Sequence, residues 1–128
     1  MGYRHFEPGT EEFWQPMSLI LNVDDVDVPI LIQTGDSEYE AGLDVFETYS
    51  HLGRPIELYV LEEETHIKWQ PAHRQAIYRR SVEWFEFWLM QRIDCDPAKA
   101  GQYARWLAMD GAPAREDLRC LDGRSSAP

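Results

Sequence analysis

Two short apolar runs stand out along the chain, Pro29-Ile-Leu-Ile-Gln-Thr34 and Ile56-Glu-Leu-Tyr-Val-Leu61. The first is apolar at nearly every position through Ile30, Leu31 and Ile32, the pattern of a strand buried on both faces. Between the two runs, residues 37–52 carry Tyr39, Leu43, Phe46 and Tyr49 at spacings of three and four. That spacing is one stripe of an amphipathic helix, and Gly53 supplies its stop. Strand, helix and strand in this order form a βαβ unit with a right-handed crossover, so the sheet is expected to be parallel. Beyond it, residues 71–92 place Ile77, Trp84, Phe85, Trp88 and Leu89 on one side of a long helix that would cover the sheet. A further helix is expected over 97–109, with Asp96 as its N-cap, Pro97 in the first turn, and Ala100, Tyr103, Ala104 and Leu107 on one face.

The flanks read differently. Residues 2–14 look irregular around the turn at Pro8-Gly9, yet they carry Tyr3, Phe6, Phe13 and Trp14, which need something to pack against. Residues 16–27 suggest a short helical turn and then an acidic approach, Asp24-Asp25-Val26-Asp27, to the first strand. The chain beyond Gly111 is expected to fray, with 111–128 a disordered tail.

Composition narrows the class. A length of 128 residues, 44% of them hydrophobic, with five tryptophans, six tyrosines and five phenylalanines, can build one ordinary domain with a substantial core. The 23 acidic residues outweigh 12 basic ones, and the resulting net charge of −11 repels phosphate backbones and anionic head groups. Neither nucleic acid nor a membrane surface is an expected partner. No stretch approaches the roughly 20 apolar residues that span a bilayer. No charged and then apolar leader opens the chain, and Cys95 and Cys120 lie in no metal-ligand pattern. Free thiols in a reducing, cytoplasmic compartment are therefore the expectation.

The candidate chemistry lies just past the two strands. Asp36 follows the first and His66 the second, and consecutive parallel strands bring their C-terminal loops to one edge of a sheet. A carboxylate and an imidazole meeting there suit acyl transfer, in which the acid holds the histidine in its reactive tautomer and the histidine moves protons to and from a nucleophile. Each residue also has a plainer reading, Asp36 as a cap for the helix that follows it and His66 as a surface loop residue. His73 shows no tight spacing to His66 that would suggest a metal, and the acidic run at 24–27 lacks the glycine and terminal glutamate of a calcium loop. No cofactor is expected. Trp69, Trp84, Trp88 and Trp106 read as packing residues before they read as a pocket. None of the six serines, Ser18, Ser37, Ser50, Ser81, Ser125 and Ser126, lies in a Gly-x-Ser-x-Gly elbow.

Residues 29–89 carry a resemblance. The strand Pro29-Ile-Leu-Ile-Gln-Thr-Gly-Asp36, the segment Gly53-Arg-Pro-Ile-Glu-Leu-Tyr-Val60 and the acidic turn ending in His66 resemble the C-terminal end of the prolyl oligopeptidase family of serine peptidases. His66-Ile-Lys-Trp-Gln-Pro-Ala-His-Arg74, Tyr78-Arg-Arg80 and Trp84-Phe-Glu-Phe-Trp-Leu89 look like the branch that includes the lasso peptide isopeptidases. The resemblance implies an α/β-hydrolase fold, here a C-terminal fragment over 1–110 with a partial parallel sheet covered by helices. It implies Asp36 as triad acid, His66 as triad base and a peptide amide as substrate. The chain departs from the family at Gln33-Thr34, where a His-Gly is usual, and in a turn to Asp36 one residue shorter. The serine, the oxyanion donors and a β-propeller stand upstream in family members, so the missing N-terminal part of the catalytic domain is an expected partner. Two readings of different class follow, a serine peptidase or isopeptidase represented by its acid and base, and an inactive α/β interaction module or truncated gene product.

Overall fold

A computed structural model of the chain describes residues 9–121. The aromatics Tyr3 and Phe6 and the last residues, 122–128, lie outside the described residues. A short helix α1 (Glu11–Trp14) and a 3-10 turn (Gln15–Met17) lead through successive turns to β1 (Ile30–Gly35). There follow α2 (Glu40–His51), β2 (Ile56–Leu61), α3 (Pro71–Met90), the two-residue strand β3 (Arg92–Ile93), α4 (Ala100–Leu107) and a second two-residue strand, β4 (Arg119–Cys120).

The two apolar runs pair in parallel, from Ile30 opposite Ile56 to Gly35 opposite Leu61, as the strand-helix-strand order requires. Alternation along the strands separates the layers. Ile32 and Leu58 face α2, which passes close above them at Gly42. On the opposite face Leu31 packs against the aromatic core, Gln33 donates to Ser81 of α3 at 2.9 Å, and the Tyr59 ring lies 3.6 Å beneath the Arg80 guanidinium. Helices therefore cover both faces of a parallel pair, and the fold is α/β.

The main core lies between α3 and α4. Trp84, Phe87, Tyr103 and Trp106 are buried together, with Trp84 and Trp106 edge to face at 5.0 Å. Such a contact adds to the burial of area by matching the positive edge of one ring to the negative face of the other. Charged groups are sealed in with it. Glu57 of β2 accepts from Arg105 at 2.9 Å and from the Trp106 indole. Glu83 accepts from both Lys99 and Gln102, at 2.7 and 2.8 Å, and from Arg79 at 3.1 Å. Burial is the main reason the Tyr103 hydroxyl is pushed up to about 12, with Glu83, Asp94 and Glu86 adding to the rise and the Asp94 amide it accepts opposing it.

Helix boundaries follow local chemistry. Gly53 ends α2 in the left-handed region at φ 71°, where a glycine carries no steric cost. The Asp96 side chain accepts from Ala98 at 2.9 Å, the cap read from the sequence, although the first turn there is 3-10 and α4 begins at Ala100. The start of the chain is less irregular than expected, since Phe13 and Trp14 belong to α1.

Two expectations are corrected at the C-terminal side. Residues 112–121 do not fray: Ala112 and Leu118 pack on the aromatic core, and β4 pairs with β3. That pairing sets Ile93 opposite Cys120 and brings Cys95 within reach, and Cys95 and Cys120 form a disulfide across 25 positions with their Cα atoms 5.5 Å apart. Free thiols are thus replaced by a crosslink, which removes the basis on which the sequence placed the chain in a reducing compartment. Among the described residues no helix is long and apolar enough to cross a membrane.

Candidate active site

The loops leaving β1 and β2 emerge at the same sheet edge because the strands are parallel and in register to their last residues, Gly35 and Leu61. Four interactions join them close to the strand ends. The Asp36 amide donates to the Leu61 carbonyl at 3.0 Å, extending the ladder by one step. The Asp36 carboxylate accepts from the amides of Glu63, at 2.8 Å, and Glu64, at 3.3 Å. Glu63 is held in the left-handed region at φ 53°, a costly place for a side chain, and the carboxylate bond helps to keep it there. The Ser37 hydroxyl donates to the Glu64 carbonyl at 3.1 Å.

Gly35 makes this approach possible. A Cβ there would fall against the Glu64 carbonyl, 2.7 Å from its carbon, and both are backbone atoms that cannot turn aside. Gly35→Ala is therefore expected to destabilise the chain by about 1–3 kcal/mol, the usual cost of overpacking. A denaturant midpoint equal to that of the parent chain would show that the two loops do not meet this closely.

Glu64 organises the second loop from inside. Its buried carboxylate accepts from the Trp69 and Gln70 amides at 3.2 and 3.1 Å and pairs with Nδ1 of His73 at 2.8 Å. Burial works to raise this carboxyl, but the Gln70 amide, His73 and the Trp69 amide together outweigh it and leave the group below its ordinary range. His73 thus ties the start of α3 to the loop and has a structural partner.

His66 projects from the loop so fixed, with its side chain 89% exposed. Its Nδ1 lies 3.2 Å from Oε2 of Glu38, not beside Asp36. An ionised carboxylate only accepts, so a hydrogen sits on Nδ1, and in the neutral ring this leaves the lone pair on Nε2. Lys68 completes the group, its ammonium 3.5 Å from the other Glu38 oxygen. Thr34, Glu38, Gly42, His66 and Lys68 line an open cleft beside β1.

The structure thus brings Asp36 and His66 to one edge, as the sequence implied, but gives the carboxylates different tasks. Asp36 has both oxygens occupied by backbone amides, so it latches the loops. Glu38, two residues on, is the carboxylate that meets the imidazole. The sequence held one sign of this, the turn a residue shorter than the family pattern, which shifts the position from which a side chain can reach the histidine.

This geometry can be set beside known proteins. No family model matches the chain. It is 45% identical over 116 residues to the lasso peptide isopeptidase AtxE2 of Asticcacaulis excentricus, a match that takes in 91% of this chain and 15% of that protein. Two solved structures of the AtxE2 isopeptidase superpose on it at 46% identity over 75% of this chain. The apo form gives a TM-score of 0.72, and a serine-to-alanine variant with Astexin3-dC4 bound gives 0.71. The chain spans about 15% of the length of these relatives. Along nearly all of its own length, then, the chain is homologous to part of a lasso peptide isopeptidase, a member of the prolyl oligopeptidase family.

Proposed function

We propose that this chain supplies the acid and base of a serine isopeptidase site that hydrolyses peptide amide bonds, with the serine contributed by sequence outside it. The observation that carries the reading is the Glu38 to His66 contact at the C-terminal edge of two parallel strands. In this reading His66 Nε2 takes the proton of the attacking serine and returns it to the leaving amine, while Glu38 holds the ring and stabilises the imidazolium. The role expected of Asp36 passes to Glu38, and Asp36 keeps the two loops in register. The serine, the oxyanion donors and a β-propeller would come from the remainder of a family member. The structure of the relative with Astexin3-dC4 bound supports a lasso peptide as the substrate class.

The test is a segment exchange in which this chain replaces the matching stretch of the Asticcacaulis excentricus isopeptidase. The hybrid is expected to cleave a lasso peptide and to react with a fluorophosphonate probe. The 128-residue chain alone is expected to do neither, because it has no serine in a Gly-x-Ser-x-Gly elbow. Labelling of the isolated chain would place a nucleophile within it and overturn the division of roles. A folded hybrid without activity would favour the interaction-module reading, for which the exposed Tyr78, Phe85 and Leu89 along α3 provide an apolar surface.

A further inference from the structure

Lys68 occupies an unusual place in the site. Its side chain is only 13% exposed, beside an imidazole that is 89% exposed and a glutamate that is 34% exposed. The ammonium has three hydrogens and meets three acceptors: the Thr65 carbonyl at 2.6 Å, the His66 carbonyl at 3.3 Å and Glu38 Oε1 at 3.5 Å. Two of these lie on the backbone that carries the imidazole, and the third is on the carboxylate that orients it.

Packing does not hold the His66 ring, because nearly all of it faces solvent. An isolated contact between an exposed histidine and a half-exposed carboxylate would be weak and would sample many geometries. A cation fixed to the backbone of residues 65 and 66 restrains the carboxylate relative to that backbone, so the acid and the base keep one relative position. From this we infer that Lys68 is the positioning residue of the site: its ammonium couples the Glu38 carboxylate to the His66 backbone and so keeps the imidazole in the tautomer with hydrogen on Nδ1. The inference rests on the proposed acid and base roles of Glu38 and His66. It adds a residue that touches neither substrate nor reacting atoms.

The coupling can be read in the full 128-residue chain, without the serine, from ring nitrogen resonances at a pH where the imidazole is neutral. The unaltered chain is expected to show His66 mainly with hydrogen on Nδ1, and Glu38→Gln to erode that preference. Lys68→Met keeps the alkyl stem but removes the cation, and is expected to lower the ratio of paired to unpaired ring by about fivefold, the effect of losing one modest hydrogen bond. Lys68→Arg is expected to restore most of it. A purely structural lysine would leave the tautomer ratio where it was, and that result would overturn the inference.

A second measurement covers the case in which Lys68→Met does not fold. The chain has two lysines, Lys68 and Lys99, so the Lys68 ammonium resonance can be assigned by elimination. It is expected to move in Glu38→Gln, whereas Lys99, which is bound to Glu83, is not. A Lys68 signal that stays in place rejects the coupling. If Glu38→Gln leaves the His66 ring unchanged in the first measurement, the acid and base pairing itself fails, an outcome distinct from the failure of Lys68 alone.

Discussion

His66→Ala in the segment-exchanged isopeptidase is expected to reduce kcat by about 10,000-fold or more, the scale on which loss of a triad histidine leaves only binding and oxyanion stabilisation. Glu38→Gln is expected to cost about 1,000-fold to 10,000-fold, since an amide can present its own hydrogens to Nδ1 and favour the wrong tautomer. KM should change little in either variant, because neither group is asked to bind the ground state more tightly than the transition state. Asp36→Asn provides the contrast. Its carboxylate accepts from the Glu63 and Glu64 amides, at 2.8 and 3.3 Å, and an asparagine retains one of the two acceptors. The expected outcome is a loss of a few-fold in kcat, on the order of one weakened hydrogen bond, together with a lower melting temperature. If Asp36→Asn proved as damaging to kcat as Glu38→Gln while melting like the parent, the acid would have been assigned to the wrong residue.

The second large effect is on stability. Glu83 is fully buried, yet its carboxylate serves Lys99, Gln102 and Arg79 and so joins α3 to the turn before α4 and to α4 itself. A buried carboxylate contributes little beyond an apolar group of the same shape, because desolvation offsets most of the attraction. Removing it alone is another matter, since Lys99 loses its counter-charge, although Arg79 keeps Asp94 at 3.0 Å, and a cavity opens at a fully buried position. Glu83→Ala is therefore expected to destabilise the chain by about 3–5 kcal/mol, read from urea unfolding at neutral pH. Lys99 is partly exposed and can swing towards water, so the value should fall nearer the lower end. Combining Glu83→Leu with Lys99→Met removes both charges and should cost clearly less than the sum of the two single changes. Strict additivity would mean that the ammonium and the carboxylate are not coupled.

The parts of the fold that were legible in advance are those set by short-range pattern. Residues 30–32 could be read as a strand because three branched apolar side chains in succession suit a strand covered on both faces, and the Leu31 and Ile32 contacts lie on opposite faces, although all three residues are only partly buried. The stop at Gly53 and the cap at Asp96 were legible for the same reason, since each depends on a few neighbouring atoms. The fate of residues 112–121 was not, because β4 is two exposed residues long and gains its place only from β3 and the crosslink to Cys95. The thiol reading failed with it, since a stretch of chain with a separation of 25 positions carries no signal of how close its ends return.

The site divides along the same line. By itself the sequence determined a βαβ unit, the sheet edge at which two loops would meet, and that an imidazole and a carboxylate would stand there, because chain order and side-chain period are enough for that much. Only the tertiary structure decided which carboxylate faces the imidazole. Asp36 and Glu38 lie two residues apart in one turn, and which of them reaches His66 depends on side-chain directions set by the close approach of Gly35 to the Glu64 carbonyl and by the amides that claim Asp36 first. Those are contacts across 27 to 29 positions of chain, and a linear pattern holds no record of them until the strands have paired.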